Sequence, residues 1–335
     1  MRTTLSAVPD IDEDLAQSVA DRLVEVEQRL RDSVATSDDM VQWTGRYLMD
    51  AGGKRVRPML VLLAASLGDV SREEVLDAAV LVELTHLASL YHDDVMDSAV
   101  TRRGAKAAHQ VWNNSVAILT GDFLFARASA LSSSLGLDAV RWHAETFERL
   151  CLGQLHETVG PKPDEDPFDH YLSVLADKTA SLIAVAGRLG ASLSGAGEHS
   201  ADVLTRYGEK VGVAFQLADD VLDLAVSAGS SGKTPGTDLR EGVPTMPTLL
   251  VRQRHAESPD ARTQEIVDRL EGDLTSDESL AELVDLLRGD PALERTRELA
   301  QRMSAEAEAI LDELPASPVR DALHAFTASM VDRQR

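Results

Sequence analysis

The chain has a single cysteine, few aromatic residues, and too little positive charge to balance its acids. One cysteine, Cys151, rules out an intrachain disulfide and a multi-cysteine zinc site. It is expected to be a small buried apolar residue. Aromatic residues make up 4% of the 335 positions. Sheet proteins lean on aromatic and β-branched side chains, whereas this chain leans on Ala, Leu and Val, so helix is the expected state. Lys and Arg number 33 against 56 Asp and Glu, a formal net charge of −23. That deficit argues against nucleic acid as a partner, since duplex binding needs a basic face to displace counterions. It also argues against adsorption to an anionic membrane. There is no run of about 18 apolar residues, hence no integral membrane segment, and the opening MRTTLSAVPDIDEDLAQ lacks an apolar signal core. These absences lead to the expectation of a soluble, cytoplasmic protein.

What is present is helical periodicity. Leu15, Val19, Leu23, Val26 and Leu30 recur at spacings of three and four and predict a helix over Asp10–Arg31. A second helix should run from Asp38 to the Gly52-Gly53 stop, and Pro58 should open a third. Ser71 should start a long one through Tyr91 and His92. Further helices are expected over Asn114–Leu135, Leu137–Val159, Phe168–Leu193, His199–Leu224, Met246–Ala256, Thr263–Glu271, Asp277–Leu287 and Asp290–Leu311, with a last one near the C-terminus. No alternating strand stands out. Residues Ser227 to Pro244 form a long polar segment, and a structureless loop of that length in a compact domain is usually functional. With no linker or repeat, the expected fold class is all-α: a single domain over residues 1–335, with residues 1–9 as a flexible tail.

Two aspartate clusters stand out. Asp93-Asp94-Val95-Met96-Asp97 and Asp219-Asp220-Val221-Leu222-Asp223 both read DDxxD and both end an apolar helix. Positions i and i+4 share a helix face, so Asp93 with Asp97, and Asp219 with Asp223, can reach one cation. Crowded carboxylates beside apolar surface repel one another unless a cation neutralises them. Oxygen-only donors suit Mg2+, with Mn2+ as substitute, and Mg2+ completes its shell with water and substrate phosphates. A lone DDxxD can equally be solvated charge at a helix end; two copies on apolar helices favour the metal reading. Against the acidic background stand local cations. Lys54, Arg55 and Arg57 form a turn between helices, Arg102 and Arg103 follow the first cluster, Lys178 and Thr179 lie within a helix, and Lys233 sits in the polar segment. His86 is two helical turns before Asp93. Carboxylates that hold metal, together with Lys and Arg, describe a diphosphate site.

The stretches GGKRVRP, ELTHLASLYHDDVMDSAVTRRG, GDFLFARA, LADKTASL, VGVAFQLADDVLDL and GKTPGTDLREGVPTMPTLL, in this order and spacing, resemble those of trans-polyprenyl diphosphate synthases of the long-chain type, over about Asp38 to Leu250. The resemblance implies a helical bundle around a deep central cavity, and a homodimeric, magnesium-dependent prenyltransferase that joins isopentenyl diphosphate to an allylic diphosphate head to tail. Carried over, Asp93 and Asp97, and Asp219 with Asp223, would bind magnesium on the allylic diphosphate, with Asp94 and Asp220 supporting the metal shell. Lys54, Arg57, His86 and Arg103 would hold isopentenyl diphosphate. Arg102, Lys178, Thr179, Gln216 and Lys233 would contact the allylic diphosphate. One departure is Val243, which stands after Gly242 where the family often has lysine, and implies a weaker or rearranged diphosphate contact.

In this family the residues just before the first cluster act as a floor for the growing chain. Ala88 and Ser89 are small here, as are Thr85 and Val82 about one and two turns earlier, so a long product, hexaprenyl or longer, is expected. Phe147, on another helix, is a candidate for the limit. A geranylgeranyl or farnesyl diphosphate synthase is the alternative. A class I terpene cyclase is disfavoured by the second DDxxD and by the set Lys54, Arg57, His86. A non-catalytic subunit of a heteromeric synthase is disfavoured by intact aspartates. A P-loop is excluded because the glycine required five residues before Gly232 is Ser227.

Overall fold

The computed structural model describes residues 11–225 and 235–331. The expected tail at residues 1–9, the N-terminal side of the polar segment, and Lys233 lie outside them. Sixteen α-helices and one π-helical turn carry nearly all regular structure among the described residues. In order, they are α1 Glu13–Ser33, α2 Asp39–Asp50, α3 Val56–Ala65, α4 Glu73–Met96, α5 Ala108–Val111, α6 Asn114–Ser134, α7 Leu137–Val159, α8 Pro167–Leu175, a π turn Ala176–Ala180, α9 Ser181–Ser194, α10 Glu198–Ala225, α11 Thr237–Glu241, α12 Met246–Glu257, α13 Ala261–Leu270, α14 Asp277–Arg288, α15 Pro291–Leu311 and α16 Pro318–Val331. The all-α expectation holds.

Local chemistry starts these helices. Asp12 accepts from the Leu15 N–H at 3.0 Å, Asp38 from Val41 at 3.1 Å and Asn113 from Val116 at 3.0 Å, each satisfying an orphan donor of a first turn. Pro58 sits inside the first turn of α3.

Four expectations need correction. The Phe168–Leu193 helix is broken by the π turn at Ala176–Ala180. The backbones crowd at this point, because a Cβ on Gly153 would lie 2.7 Å from the Lys178 nitrogen. A two-residue hairpin, β1 Thr101–Arg102 and β2 Ala105–Lys106, pairs Thr101 with Lys106 and Arg102 with Ala105. Its loop residues Arg103 and Gly104 have φ of +53° and +77°, the left-handed backbone that a tight hairpin turn needs. Two residues per strand are too few to show alternation. The polar segment is not structureless throughout, since α11 lies within it. Cys151 is exposed on α7 rather than buried.

The described residues sort into two units. The first takes residues up to 149, 181–208 and 309–326; the second takes 150–180, 209–308 and 327 onward. In the first, α3, α4, α6 and α9 pack around a core that contains the fully buried Leu60, Leu62, Leu76, Leu81 and Leu84. Helices α3 and α9 touch backbone to backbone at Gly190, where a Cβ would strike the Val61 carbonyl and lie 2.8 Å from the Ala64 Cβ. In the second unit, one cluster gathers Leu239, Val251, Ile266, Leu280, Leu283 and Leu287, and another gathers Tyr171, Leu175, Val213, Leu217 and Met246. No described helix is long and apolar enough to cross a membrane.

Candidate active site

In the first unit, α4 is apolar along most of its length and then delivers the first cluster at its end. Asp97 caps the helix, its N–H donating to the Asp93 carbonyl at 2.8 Å, so Asp93 and Asp97 are held one turn apart. Both are half-buried, which leaves their carboxylates within reach of solvent and ligands. Asp94 is different. It is fully buried, and its Oδ1 accepts from Arg102 Nε at 2.6 Å, while Oδ2 has no hydrogen-bond partner among the described residues. Burial pushes its pKa up and the Arg102 charge pulls against that. Arg102 reaches Asp94 from β1, the first hairpin strand, which follows α4 closely in the chain.

The GDFLFARA stretch also supports this helix end. His92 Nε2 lies 3.0 Å from the Ile118 carbonyl and 3.3 Å from Asp122 Oδ1. Gly121 is required there because a Cβ would run into the His92 ring.

The cationic turn lies in the same unit. Arg57, His86 and Arg103 are close enough for their charges to act on one another. Burial first, then the surrounding arginines Arg57, Arg103, Arg102 and Arg55, holds the His86 pKa well below the ordinary imidazole value, so the ring is neutral at pH 7. Burial, with Arg103 adding to it against Glu83, brings Arg57 down to about 10, still charged at pH 7. Lys54 is exposed beside them in sequence.

Of the expected floor residues, Ala88 is fully buried and Ser89 is half-buried, its Oγ donating to the His86 carbonyl at 2.9 Å. One turn earlier, the Thr85 hydroxyl lies 3.1 Å from His143 Nε2 on α7. Phe147, the residue expected to limit length, packs tilted against Phe125 with ring centroids 4.2 Å apart.

In the second unit, α10 carries the second cluster with the same division of labour. Asp219 and Asp223 are half-buried. Asp220 is buried, and its Oδ2 accepts from the Tyr171 hydroxyl at 2.6 Å and from the Met246 N–H at 3.0 Å. Burial raises its pKa to about 8 in spite of those two donors. Asp220 thereby ties α10 to α8 and to the first residue of α12. Thr179 Oγ1 donates to Gln216 Oε1 at 3.4 Å, and Lys178 on the π turn pairs with Glu157. Single π turns recur at functional sites. Val243 is half-buried after α11, its N–H donating to the Asp238 carbonyl at 3.0 Å.

The donor chemistry fits a hard divalent cation. Each cluster offers two half-buried carboxylates one helical turn apart, and its middle carboxylate is engaged by protein. No three acidic, His or Cys side chains converge as a preformed cage among the described residues, so waters and substrate oxygens must complete any metal shell.

Several contributors were missed. Glu27, Arg55 and Glu83 form a buried ionic network, Tyr171 anchors Asp220, and Glu157 pairs with Lys178. Glu83 had a visible signal, a carboxylate in the middle of the apolar run VLVELTHL. Tyr171 and Glu157 had none.

A family model described as Polyprenyl synthetase matches residues 38–287. Nonaprenyl diphosphate synthase of Mycobacterium tuberculosis (strain ATCC 25618 / H37Rv) is 40% identical over 338 residues, covering 99% of each chain. Among solved structures, geranylgeranyl pyrophosphate synthase of Corynebacterium glutamicum, complexed with calcium and isoprenyl diphosphate, matches with a TM-score of 0.83 at 42% identity, over 96% of this chain and 98% of that one. Polyprenyl synthase of Caulobacter crescentus CB15, complexed with the same ligands, matches with a TM-score of 0.87 at 31% identity, over 96% and 97%. The chain therefore belongs to the polyprenyl synthetase family.

Proposed function

We propose that this chain is a polyprenyl diphosphate synthase that extends an allylic diphosphate with isopentenyl diphosphate, head to tail, and makes a long all-trans product for quinone side chains. The observation that carries this is the repeated division within the two DDxxD clusters, where outer carboxylates stay within reach and middle ones are anchored in protein. Support for a long product comes from the small side chains at Ala88 and Ser89 and from the nonaprenyl relative.

On this reading Asp93 and Asp97, and likewise Asp219 and Asp223, hold magnesium carried by the allylic diphosphate. Bound magnesium supplies Lewis-acid stabilisation of the departing pyrophosphate. Arg102, Lys178, Thr179, Gln216 and Lys233 orient that diphosphate and add positive charge where negative charge develops. Lys54, Arg57, His86 and Arg103 hold isopentenyl diphosphate so that its double bond faces the allylic carbon. The allylic C–O bond breaks, a C–C bond forms from the isopentenyl double bond, and the proton lost afterwards goes to the released pyrophosphate. No protein nucleophile takes part. Apolar helix surface keeps water from the allylic cation.

The enzyme acts in the cytoplasm as a homodimer. Sedimentation should return twice the chain mass; a monomer at micromolar concentration would contradict this.

The test of function supplies an allylic diphosphate with and without isopentenyl diphosphate, in magnesium or in excess chelator. Extended diphosphates should form only with both substrates and the metal. A cyclic hydrocarbon from the allylic diphosphate alone would show a terpene cyclase instead. Turnover that appears only after adding a second polypeptide would show a heteromeric subunit.

A further inference from the structure

The cations of the GGKRVR turn and of the hairpin are not equivalent. Arg55, in the left-handed region at φ +50°, points inward and is 5% exposed. Its guanidinium pairs with both oxygens of Glu27, donates to Glu83 Oε1 at 3.0 Å, and donates to the carbonyls of Met49 at 3.2 Å and Gly52 at 3.3 Å. Arg103, in the left-handed region at φ +53°, donates to the carbonyls of Leu48, at 3.0 Å, and Gly52, and its Nη2 lies 3.9 Å from the same Glu83 oxygen. Both guanidiniums lie over Gly53, where a Cβ would stand 2.6 Å from Arg55 Nη1 and 2.9 Å from Arg103 Cζ. Arg57 makes no such investment. Its Nε is buried without a hydrogen-bond partner among the described residues, and the Glu83 charge acts on it. Three guanidiniums therefore surround Glu83, which is itself 2% exposed, and with Glu27 it leaves one positive charge in excess.

We infer that Glu83 is a positioning residue for the isopentenyl diphosphate grip: it anchors Arg55 and Arg103 beneath the Gly52-Gly53 turn so that Arg57 is presented to the substrate. The physical reason is that buried like charges repel unless a shared counterion fixes them, and repelled guanidiniums lose the geometry a diphosphate needs. The carboxylate sits on α4 about one turn before His86 and nearly three turns before Asp93, so the same rigid helix places this grip and the first aspartate cluster. Both unusual backbone conformations at Arg55 and Arg103 are strained for residues with a side chain, and such strain persists only where surrounding contacts hold it.

This inference rests on the proposed function, and the experiment separates the two. Glu83→Gln keeps the shape and removes the charge. It is expected to raise the KM for isopentenyl diphosphate about tenfold, the order that follows from displacing a binding group by a fraction of an ångström, with kcat and the allylic KM changed less than about twofold. Titration calorimetry with isopentenyl diphosphate alone should show the same weakening, and Glu83→Asp should recover part of it. An isopentenyl KM that is unchanged would overturn the inference. So would one that falls, because Glu83 would then be acting as plain negative charge. Equal loss in kcat with both KM values intact would show a general structural role and overturn it too. If Glu83→Gln does not fold, Glu27→Gln must show the KM split, and its absence overturns the inference. A wild-type protein that binds isopentenyl diphosphate but never condenses it would contradict the proposed function and leave the calorimetric comparison to decide Glu83.

Discussion

Asp93→Ala should lower turnover about a thousandfold while leaving the protein folded. The carboxylate is half-buried at the end of α4, so its loss opens no cavity in the apolar core. Its backbone role, accepting from the Asp97 N–H, is kept by alanine. On the proposed function, what disappears is one of the two carboxylates of the first cluster that would hold the metal. Removal of one preorganised electrostatic contact in an active site costs about a hundred- to a thousandfold in kcat, and a thousandfold is about 4 kcal/mol of barrier. Steady-state incorporation of labelled isopentenyl diphosphate, read beside a thermal melt, checks both halves. Wild-type turnover in a folded Asp93→Ala would sink the assignment of Asp93 to the metal. The contrast with Asp94 is informative. Replacing that buried carboxylate strips Arg102 of its ion-pair partner, so a loss there would mix stability with activity.

Ala88→Phe should shift the product from a long chain to farnesyl or geranylgeranyl length. Ala88 lies on α4 five residues before Asp93, and on the proposed function a phenyl ring there would stand in the path of the growing chain. The methyl group is fully buried, so the larger side chain also overpacks its surroundings by about 1–3 kcal/mol. Ser89→Phe is the companion, because Ser89 is half-buried and tolerates bulk better. Both variants should shorten the product with isopentenyl diphosphate in excess. Chromatography of the dephosphorylated alcohols reads the result. An unchanged length in folded variants would mean that Ala88 and Ser89 do not border the chain's path.

How much of this was legible in the sequence depended on the physical signal each feature leaves. Helices with a clear apolar stripe, such as α1 and α14, ended within a few residues of their expected bounds, because burial of one face is written directly into the pattern. The π turn left no such mark. It depends on how closely Gly153 approaches the backbone of Lys178, a contact between segments distant in sequence. Cys151 was misjudged for a related reason: periodicity shows that α7 has apolar residues but not which of them are covered, and Leu152 and Leu155 beside it are exposed too. The outer aspartates of each cluster could be grouped from their i, i+4 spacing. The inward turn of Asp94 and Asp220 follows from the same geometry, since the next residue on a helix is rotated by roughly 100°. Their partners Arg102, Tyr171 and the Met246 N–H could not be read, because each comes from a different element. The buried network of Glu27, Arg55 and Glu83 could not be read either, because Glu27 lies on α1, Arg55 before α3 and Glu83 on α4.

The most direct measurement is a mass balance on the purified protein with magnesium, an allylic diphosphate and labelled isopentenyl diphosphate. The expected result is one pyrophosphate released for each isopentenyl unit consumed, with the label recovered in diphosphates of hexaprenyl length or longer. Pyrophosphate release without incorporation of label would contradict the condensation itself, and label that stops at farnesyl or geranylgeranyl length would contradict the open floor at Ala88 and Ser89.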